Sequence, residues 1–330
     1  MCVAIRFNSA DGDMYFARNL DGSNPMGERP LALASGYPLE WEHMGVSDSR
    51  HAIVGAGHVF DGKLILHEAG NDAGLGVIGL ALPKSTHDAP VPIEGKLNIS
   101  RYEFPAWVAA NFETVAQVEE ALRDAAVVDP SFGIDIDFNP FPMHWLVVDA
   151  SGSLVVESTE HGLEMYRDDA DVLTNEPAFP EQRAGLQSFL DAHPAASASA
   201  DGAARACQPS SGHPAGFPEN CQGVNLSVQD IPGDFSSPSR FVKAAYINAL
   251  YPAQESEHEN VVRAFRTLET VAVPLGAVPA ADGRLKTTQY RCVFSASART
   301  YYYAAYDDLS VRSLCLDDLG REGVLQLGLD

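Results

Sequence analysis

Basic residues are scarce in this chain. Its 330 residues include 22 lysines and arginines against 45 aspartates and glutamates, and the formal net charge at pH 7 is −23. A surface of this sign repels phosphate backbones and anionic membrane surfaces. The composition therefore predicts that neither nucleic acid nor a membrane is a partner, although a local basic cluster can still lie within an acidic shell.

Long apolar runs and cysteines are also few. The longest apolar run, residues 75–82, contains glycines and is far shorter than the roughly 20 residues of a membrane-spanning helix. The N-terminus has no basic segment followed by a long apolar one, so we expect no signal peptide. The cysteines are sparse and odd in number, which predicts a reducing, cytoplasmic location and argues against a disulfide framework. They lie at positions 2, 207, 221, 292 and 315.

Apolar residues make up 45% of the chain, which is enough for a large core. Many strand-like runs and a few helices occur without strict βαβ alternation, which predicts an α+β fold with helices layered on largely antiparallel sheets. Residues 193–222 are rich in Ala, Ser, Gly and Pro and predict a long surface loop, so we expect residues 1–330 to form one domain. The predicted strands are 2–8, 13–20, 52–55, 63–66, 75–82, 143–148, 154–157, 163–166, 287–294 and 300–305, and the predicted helices begin at Thr114, Ser237 and about Glu257.

Two glycine-rich motifs and the histidines indicate no cofactor or metal. Residues 74–79 match the dinucleotide pattern G-x-G-x-x-G, but they lie inside a strand-like run rather than at the start of a helix. Residues 57–63 match most of a P-loop, but Leu64 replaces the magnesium-binding hydroxyl. The ten histidines show no ligand spacing, so we expect neither a cofactor nor a metal ion. A metal site remains an alternative only in the predicted loop, at Cys207, His213 and Cys221.

Cys2 is the residue that most directly suggests a reaction. Its small side chain lets an aminopeptidase remove Met1, which would leave a cysteine with both a thiol and a free α-amine. An α-amine has a pKa near ~8, so part of it is neutral at pH 7 and accepts a proton. One residue would then supply nucleophile and base. The alternative is that Cys2 is a small core residue.

The predicted hairpin brings charged residues close to Cys2. Asp-Gly at residues 11–12 favours a two-residue loop, which places Cys2 opposite Asp21, and a longer loop moves it opposite residue 20 or 19. In each register Arg18 and Asp21 come within a few residues of the sulfur. A guanidinium there would favour the thiolate, and the carboxylate would orient the α-amine. An ordinary ion pair between Arg18 and Asp21 is the alternative.

Arg240 occupies an unfavourable place for a cation. It falls in the first turn of the helix that begins at Ser237, where the helix dipole disfavours positive charge. Pairing with Asp234 would explain it, and so would a role in the same site as Cys2.

Several segments match one known family in content and in order. They read MCVAIRF at 1–7, ARNLD at 17–21, NDAGLG at 71–76, YEFP at 102–105, HWL at 144–146, VLTNEP at 172–177, IPGDFSSPSRF at 231–241, TYYY at 300–303 and YDD at 306–308. Through them nearly the whole chain resembles the choloylglycine hydrolases, which are the bile salt hydrolases and penicillin V acylases of the N-terminal-nucleophile hydrolase superfamily. The resemblance implies a four-layer αββα sandwich with Cys2 at a central strand end, no cofactor, and a homotetramer.

The resemblance also implies catalytic roles for five residues. The Cys2 thiolate would attack an amide carbonyl, and its α-amine would relay the proton to the leaving amine. Asn175 would donate to the developing oxyanion. The charge network that holds the nucleophile in place would consist of Arg18, Asp21 and Arg240.

Three features depart from the family pattern. Ala81 stands where bile salt hydrolases usually carry Asn and penicillin V acylases Tyr, so a side-chain donor to the oxyanion is missing. Gly22 stands where an aromatic is frequent. The stretch 193–222 is longer than usual, in a region that helps to build the family's tetramer, so the quaternary contacts are open.

The expected substrate is a small-molecule N-acyl amide, a glycine- or taurine-conjugated bile salt. The loop at 129–142 bears several large apolar residues that would line a wide cleft for a steroid. Penicillin V acylase or another N-acyl amine acylase is the alternative within the class, and a non-catalytic homologue that binds amphipathic ligands is the alternative outside it. Besides Ala81, the predicted substrate-binding residues, for which core packing is the alternative, are Leu20, Phe60, Ile134 and Phe141.

Overall fold

Two antiparallel sheets lie face to face at the centre of the molecule. The structure, a computed structural model, describes residues 2–23, 27–60, 63–130, 142–192, 231–279, 283–319 and 324–326. The strands are β1 (Cys2–Asn8), β2 (Met14–Gly22), β3 (Arg29–Leu33), β4 (Pro38–Trp41), β5 (Gly45–Asp48), β6 (Ile53–Phe60), β7 (Lys63–Asn71), β8 (Gly76–Ala81), β9 (Leu97–Ser100), β10 (Ala125–Val128), β11 (Met143–Asp149), β12 (Gly152–Thr159), β13 (Gly162–Asp168), β14 (Val172–Leu173), β15 (Val278–Pro279), β16 (Leu285–Ser295), β17 (Thr300–Ala305), β18 (Arg312–Cys315) and β19 (Val324–Gln326).

The first sheet has the strand order β14-β1-β2-β16-β17-β18, and β15 pairs with β16 at its margin. The second has the order β13-β12-β11-β8-β7-β6-β3-β19. Pairs β4-β5 and β9-β10 form two small separate sheets. Every strand pair of the two large sheets is antiparallel, as the sequence predicts.

Helices cover the outer face of each sheet, which gives four layers. Helices α1 (Phe104–Asn111) and α2 (Val115–Leu122) pack on the second sheet. Helices α3 (Phe179–Ala192), α4 (Ser237–Leu250) and α5 (Glu257–Glu269) join the core of the first sheet, and α4 packs on β1. A short 3-10 helix covers Leu316–Asp318. The predicted α+β, four-layer αββα architecture is confirmed.

Close packing between the sheets depends on two glycines. A Cβ placed on Gly76 would lie 2.4 Å from the ring of Phe16, and one on Gly70 would lie 2.6 Å from the ring of Phe294. The two rings belong to adjacent strands of the first sheet and lie 5.3 Å apart. Glycine on the second sheet thus lets the aromatic rings of the first sheet approach its backbone closely.

The hairpin at the N-terminus differs from the favoured two-residue loop. Cys2 pairs with Leu20 and Asn8 with Met14, which is the register of the loop one residue longer. Ser9 N–H donates to Asp13 O at 2.8 Å, and Gly12 has a φ of 91° between them. A three-residue loop with glycine in the left-handed conformation is a standard hairpin connection. The prediction that places Cys2 opposite Asp21 is therefore wrong by one residue.

The three predicted helices are present. The hydroxyl of Thr114 accepts from Gln117 N–H at 3.3 Å and caps α2. Helix α4 begins at Ser237 with proline in its first turn, and α5 begins at Glu257 behind the cap of Ser256. The apolar pattern does not predict helices α1 and α3 or the short strands β3–β5, β9, β10, β14, β15, β18 and β19. The predicted loop 193–222 lies outside the described residues.

Candidate active site

Cys2 lies between two strands that set its surroundings. On one side β2 places Leu20 opposite it. On the other side β14 pairs with β1 at Ala4–Leu173. Continuing that register by two residues brings Asn175 opposite Cys2. The antiparallel pairing thus fixes which side chains flank the N-terminal residue.

Hydrogen bonds hold both main-chain ends of Cys2. Its nitrogen donates to Oδ1 of Asn175 at 2.5 Å, and its carbonyl oxygen accepts from Nη1 of Arg240 at 3.0 Å. Nη2 of Arg240 also donates to Oδ1 of Asn175, at 3.2 Å. Nδ2 of Asn175 donates to the carbonyl of Ala81 at 2.8 Å. One amide side chain therefore links the Cys2 nitrogen to the end of β8.

The guanidinium of Arg240 is paired with Asp21, at 3.2 Å, and both side chains are buried. Oδ1 of Asp21 also accepts from the hydroxyl of Thr288 at 2.6 Å. Burial lowers the pKa of Arg240, and the charges of Asp21 and Cys2 oppose that effect. Arg240 thus belongs to the site. Asp234, the other partner considered, accepts hydrogen bonds from Ser236 and Ser239.

Arg18 reaches the site from the opposite face of the sheet. Arg18 and Leu20 are two positions apart on β2, so their side chains point to the same face of the sheet. Leu20 pairs with Cys2, so the Cys2 side chain shares this face, which meets the second sheet. Nη1 of Arg18 donates to Oε2 of Glu68 at 2.8 Å. The ion pair between Arg18 and Asp21, the alternative from the sequence, is replaced by two separate pairs with Glu68 and Arg240.

A further group of buried residues holds Asn175 in place. Its N–H donates to the hydroxyl of Ser237 at 2.8 Å, and its carbonyl accepts from Gln182. The carbonyl of the preceding Thr174 lies 2.7 Å from Nε2 of His144, whose Nδ1 lies 2.8 Å from Oε1 of Glu157. Sequence reasoning missed these supports. Their signal is a polar residue at a buried position of an apolar strand, as His144 in β11 and Glu157 in β12 show.

The predicted substrate-binding residues have different outcomes. Leu20 is buried in the core beside Cys2, and Ala81 is half-buried at the end of β8. Phe60 is the last residue of β6, and its side chain is outside the described part. Ile134 and Phe141 lie outside the described residues. The structure therefore brings Leu20 and Ala81 to the site and leaves the other three as predictions.

Within the described ranges, no group of three His, Cys, Asp or Glu side chains is placed to hold a metal ion. In the same ranges no helix combines the length and apolar character needed to cross a membrane. Cys207, His213 and Cys221 lie outside the described residues.

Comparison with known proteins places this geometry among amide hydrolases. Residues 2–320 match the family described as linear amide C–N hydrolases, choloylglycine hydrolase family. The chain is 35% identical over 319 residues to a bile salt hydrolase/transferase of Bifidobacterium longum subsp. longum, covering 96% of each chain. It is 33% identical over 321 residues to a conjugated bile acid hydrolase of Lactobacillus acidophilus, again covering 96% of each.

Two solved structures share the fold. A mutant of the conjugated bile acid hydrolase of Clostridium perfringens superposes with a TM-score of 0.83 at 24% identity, covering 100% of this chain and 97% of that one. The penicillin V acylase of Agrobacterium tumefaciens superposes with a TM-score of 0.72 at 19% identity, covering 96% and 87%.

Proposed function

Because the chain belongs to the choloylglycine hydrolase family of linear amide C–N hydrolases, we propose that it hydrolyses glycine- and taurine-conjugated bile salts with Cys2 as the nucleophile. The observation that carries this proposal is a pair of hydrogen bonds: the Cys2 nitrogen donates to Asn175, and the Cys2 carbonyl oxygen accepts from Arg240. Once Met1 is removed, the same contacts would orient the Cys2 α-amine that acts as the base.

The reaction would begin after Met1 is removed. The Cys2 α-amine would take the thiol proton, and the thiolate would attack the amide carbonyl. The protonated amine would then give its proton to the leaving nitrogen as the C–N bond breaks, so glycine or taurine leaves as an amine. A water molecule, deprotonated by the same α-amine, would hydrolyse the thioester and release the bile acid. Asn175 would orient the amine through Oδ1.

The oxyanion would be stabilised by two N–H groups. Nδ2 of Asn175 uses one hydrogen on the Ala81 carbonyl and has a second for the substrate. Leu82 N–H donates to Pro142 O at 2.7 Å, so Ala81, one residue earlier, turns its N–H and C=O away from β11. The pairing of β8 with β7 ends at Ile78. The Ala81 N–H therefore faces the same side as its carbonyl, toward Asn175, and we assign it as the second donor.

Arg18, Asp21 and Arg240 would keep this arrangement in place. Arg240 would hold the carbonyl of Cys2 and the amide of Asn175 together, with Asp21 balancing its charge. Arg18 would attract the thiolate from the inter-sheet face.

The proposal of bile salts as substrates is supported by the named activities of the curated relatives, which are bile salt or conjugated bile acid hydrolases. Purified protein incubated separately with glycocholate, taurocholate and penicillin V at matched concentrations should release glycine or taurine faster than it cleaves penicillin V. Faster penicillin V cleavage would move the substrate to the acylases. No cleavage of any of the three would contradict the proposed substrate class.

We also propose that the protein works in the cytoplasm as a homotetramer. The described cysteines, at positions 2, 292 and 315, are free, as in proteins of reducing compartments. The tetramer is inferred from the family resemblance. Light scattering of the protein as it elutes from a size-exclusion column measures its mass, and a monomeric mass would contradict the tetramer.

A further inference from the structure

A buried carboxylate between the two sheets takes no part in the reaction proposed above. Glu68 lies on β7 with its side chain fully buried, and its Oε2 accepts from Arg18 at 2.8 Å. The hydroxyl of Tyr290 donates to it at 3.0 Å and that of Tyr301 at 2.5 Å. Glu68 thus receives donors from three adjacent strands of the opposite sheet, β2, β16 and β17.

Arg18 connects this carboxylate to the nucleophile. Its guanidinium lies on the same face of the first sheet as the Cys2 side chain. It therefore interacts electrostatically with both Cys2 and Glu68. Burial alone would lower the pKa of Arg18, but the negative charges of Cys2 and Glu68 raise it well above its ordinary value. The negative charge of Glu68 partly offsets the positive charge of Arg18. Arg18 therefore stabilises a Cys2 thiolate less than it would without Glu68.

The tyrosines act as neutral donors to Glu68. Burial and the nearby negative charge of Glu68 raise the pKa of Tyr290 well above its ordinary value, and burial together with neighbouring charges does the same for Tyr301. Both hydroxyls therefore keep their protons and share the charge of the carboxylate. The other ionisable groups that face this cluster are His58, His67, Cys292, Tyr303 and Glu28.

Most of these neighbours are uncharged near neutral pH. Burial and the charge of Arg18 hold the pKa of His67 well below its ordinary value, and burial lowers that of His58. Burial raises the pKa of the Cys292 thiol well above its ordinary value. The charges that face Cys2 from this side are then set by Arg18 and Glu68, with Glu28 adding a second carboxylate near Tyr290 and Tyr303.

We propose that Glu68 is a positioning residue that holds the Arg18 guanidinium beside Cys2 and, through a charge shared with Tyr290 and Tyr301, limits how much of Cys2 is thiolate. This proposal rests on the proposed role of Cys2 as the nucleophile. It predicts opposite effects of two changes. Removing the charge of Glu68 favours the thiolate, whereas removing a tyrosine donor leaves more of that charge on Arg18 and disfavours it.

The test is the pH dependence of Cys2 alkylation by iodoacetamide in the mature protein, measured on the N-terminal peptide by mass spectrometry. Glu68→Gln should move the midpoint down by about one pH unit, and Tyr301→Phe should move it up by a smaller amount. The side-chain oxygen of the introduced glutamine can still accept from Arg18, so in steady-state assays Glu68→Gln should lower the midpoint of the kcat–pH profile by about the same one pH unit and change KM less than about threefold.

Glu257 offers a matched control. Its carboxylate also accepts from two tyrosine hydroxyls, those of Tyr15 and Tyr302, but it lies at the start of α5. Glu257→Gln should leave the Cys2 midpoint and kcat unchanged.

Unchanged midpoints in both test variants, or shifts in the same direction, would overturn the proposal. If Glu68→Gln does not fold, an unchanged midpoint in Tyr301→Phe overturns it alone. The alkylation assay reports on the thiol whatever the substrate is. If Glu68 does not influence the Cys2 thiol, the alkylation midpoints show it. The proposed function is tested separately, by amide hydrolysis in Cys2→Ser, so the two failures are distinguishable.

Discussion

Two buried arginine–carboxylate pairs flank Cys2, and they act on it differently. Arg240 and Asp21 lie between the first sheet and helix α4, and Arg240 donates directly to the Cys2 carbonyl. Arg18 and Glu68 lie between the two sheets on the thiol side. In the proposed mechanism the first pair would fix the position of the Cys2 main chain and α-amine, and the second would set the charge close to the thiol. Position and electrostatics are thus separated on two faces of one sheet.

The two pairs share the energetic risk of a buried charge. Removing one partner of such a pair leaves the other charge uncompensated, which typically costs about 3–5 kcal/mol. The pairs differ in what else would then be lost. Without Arg240, the Cys2 carbonyl and Oδ1 of Asn175 lose a donor. Without Arg18, Glu68 retains its two tyrosine donors.

The largest effect is expected from Arg240→Met. The free energy of unfolding should fall by about 3–5 kcal/mol, because Asp21 is left buried without its cation, and kcat should fall at least about a hundredfold, because Cys2 and Asn175 lose their common donor. Urea titration and amine release measure the two. Arg263→Met is the control, since Arg263 is buried against Phe7. It should lower stability while kcat stays within about threefold, and an equal loss of kcat in the control would contradict the assignment.

The second-largest effect is expected from Arg18→Met, and combining it with Glu68→Gln separates the effect on stability from the effect on activity. Arg18→Met alone should cost about 3–5 kcal/mol, because it leaves Glu68 charged. Combined with Glu68→Gln it should cost less than the sum of the single changes, since neither charge is then left alone. The rate should not recover in the double variant, because the thiolate still lacks its guanidinium. Recovery of kcat would show that Arg18 matters only for folding.

A smaller effect is expected at Ala81. We expect Ala81→Asn to change kcat toward conjugated bile salts less than about threefold, because the main-chain N–H already supplies the donor. Steady-state kinetics with matched protein concentrations decides this. A rise near a hundredfold, equivalent to roughly 3 kcal/mol, would show instead that a side-chain donor is missing there.

The smallest effect concerns pH and the turn before β14. Burial raises the pKa of Asp168 to about 7, although the N–H groups of Ala170 and Val172 bind the carboxylate and oppose the rise. A raised folded-state pKa gives stability that is present below the unfolded value of about 3.9 and lost as pH rises to about 7. Asp168→Asn should therefore reduce the loss of thermal stability between pH 4 and pH 8, by a few degrees in Tm. Plots of Tm against pH that run parallel for Asp168→Asn and the unchanged protein would contradict this.

Local patterns and family segments predict much of the fold, but not the pairing of the buried charges. The cap at Thr114 and the proline after Ser237 are local signals, and they locate α2 and α4 correctly. The hairpin register depends on the loop conformation, where Gly12 takes a left-handed φ that adds one residue to the turn. A two-residue loop and a three-residue loop differ too little in sequence to be separated.

The partners of Arg18 and Asp21 could not be predicted from the hairpin alone. Both residues lie on β2, but their side chains leave opposite faces of the sheet, because they are three positions apart. Glu68 and Arg240 come from distant parts of the chain, and only the packing of the second sheet and of α4 brings them near. Sequence indicates which residues carry charge, whereas tertiary structure decides which of them meet.

The measurement that tests Cys2 as the nucleophile most directly is the mass of its peptide during turnover. The protein is mixed with glycocholate, quenched in acid within the first turnover and digested. The N-terminal peptide should begin at Cys2, without Met1, and should carry the mass of the cholyl group as a thioester. Cys2→Ser should lack this adduct and lose amide hydrolysis by orders of magnitude. A fully active protein that retains Met1, or an acyl group on another residue, would contradict the mechanism.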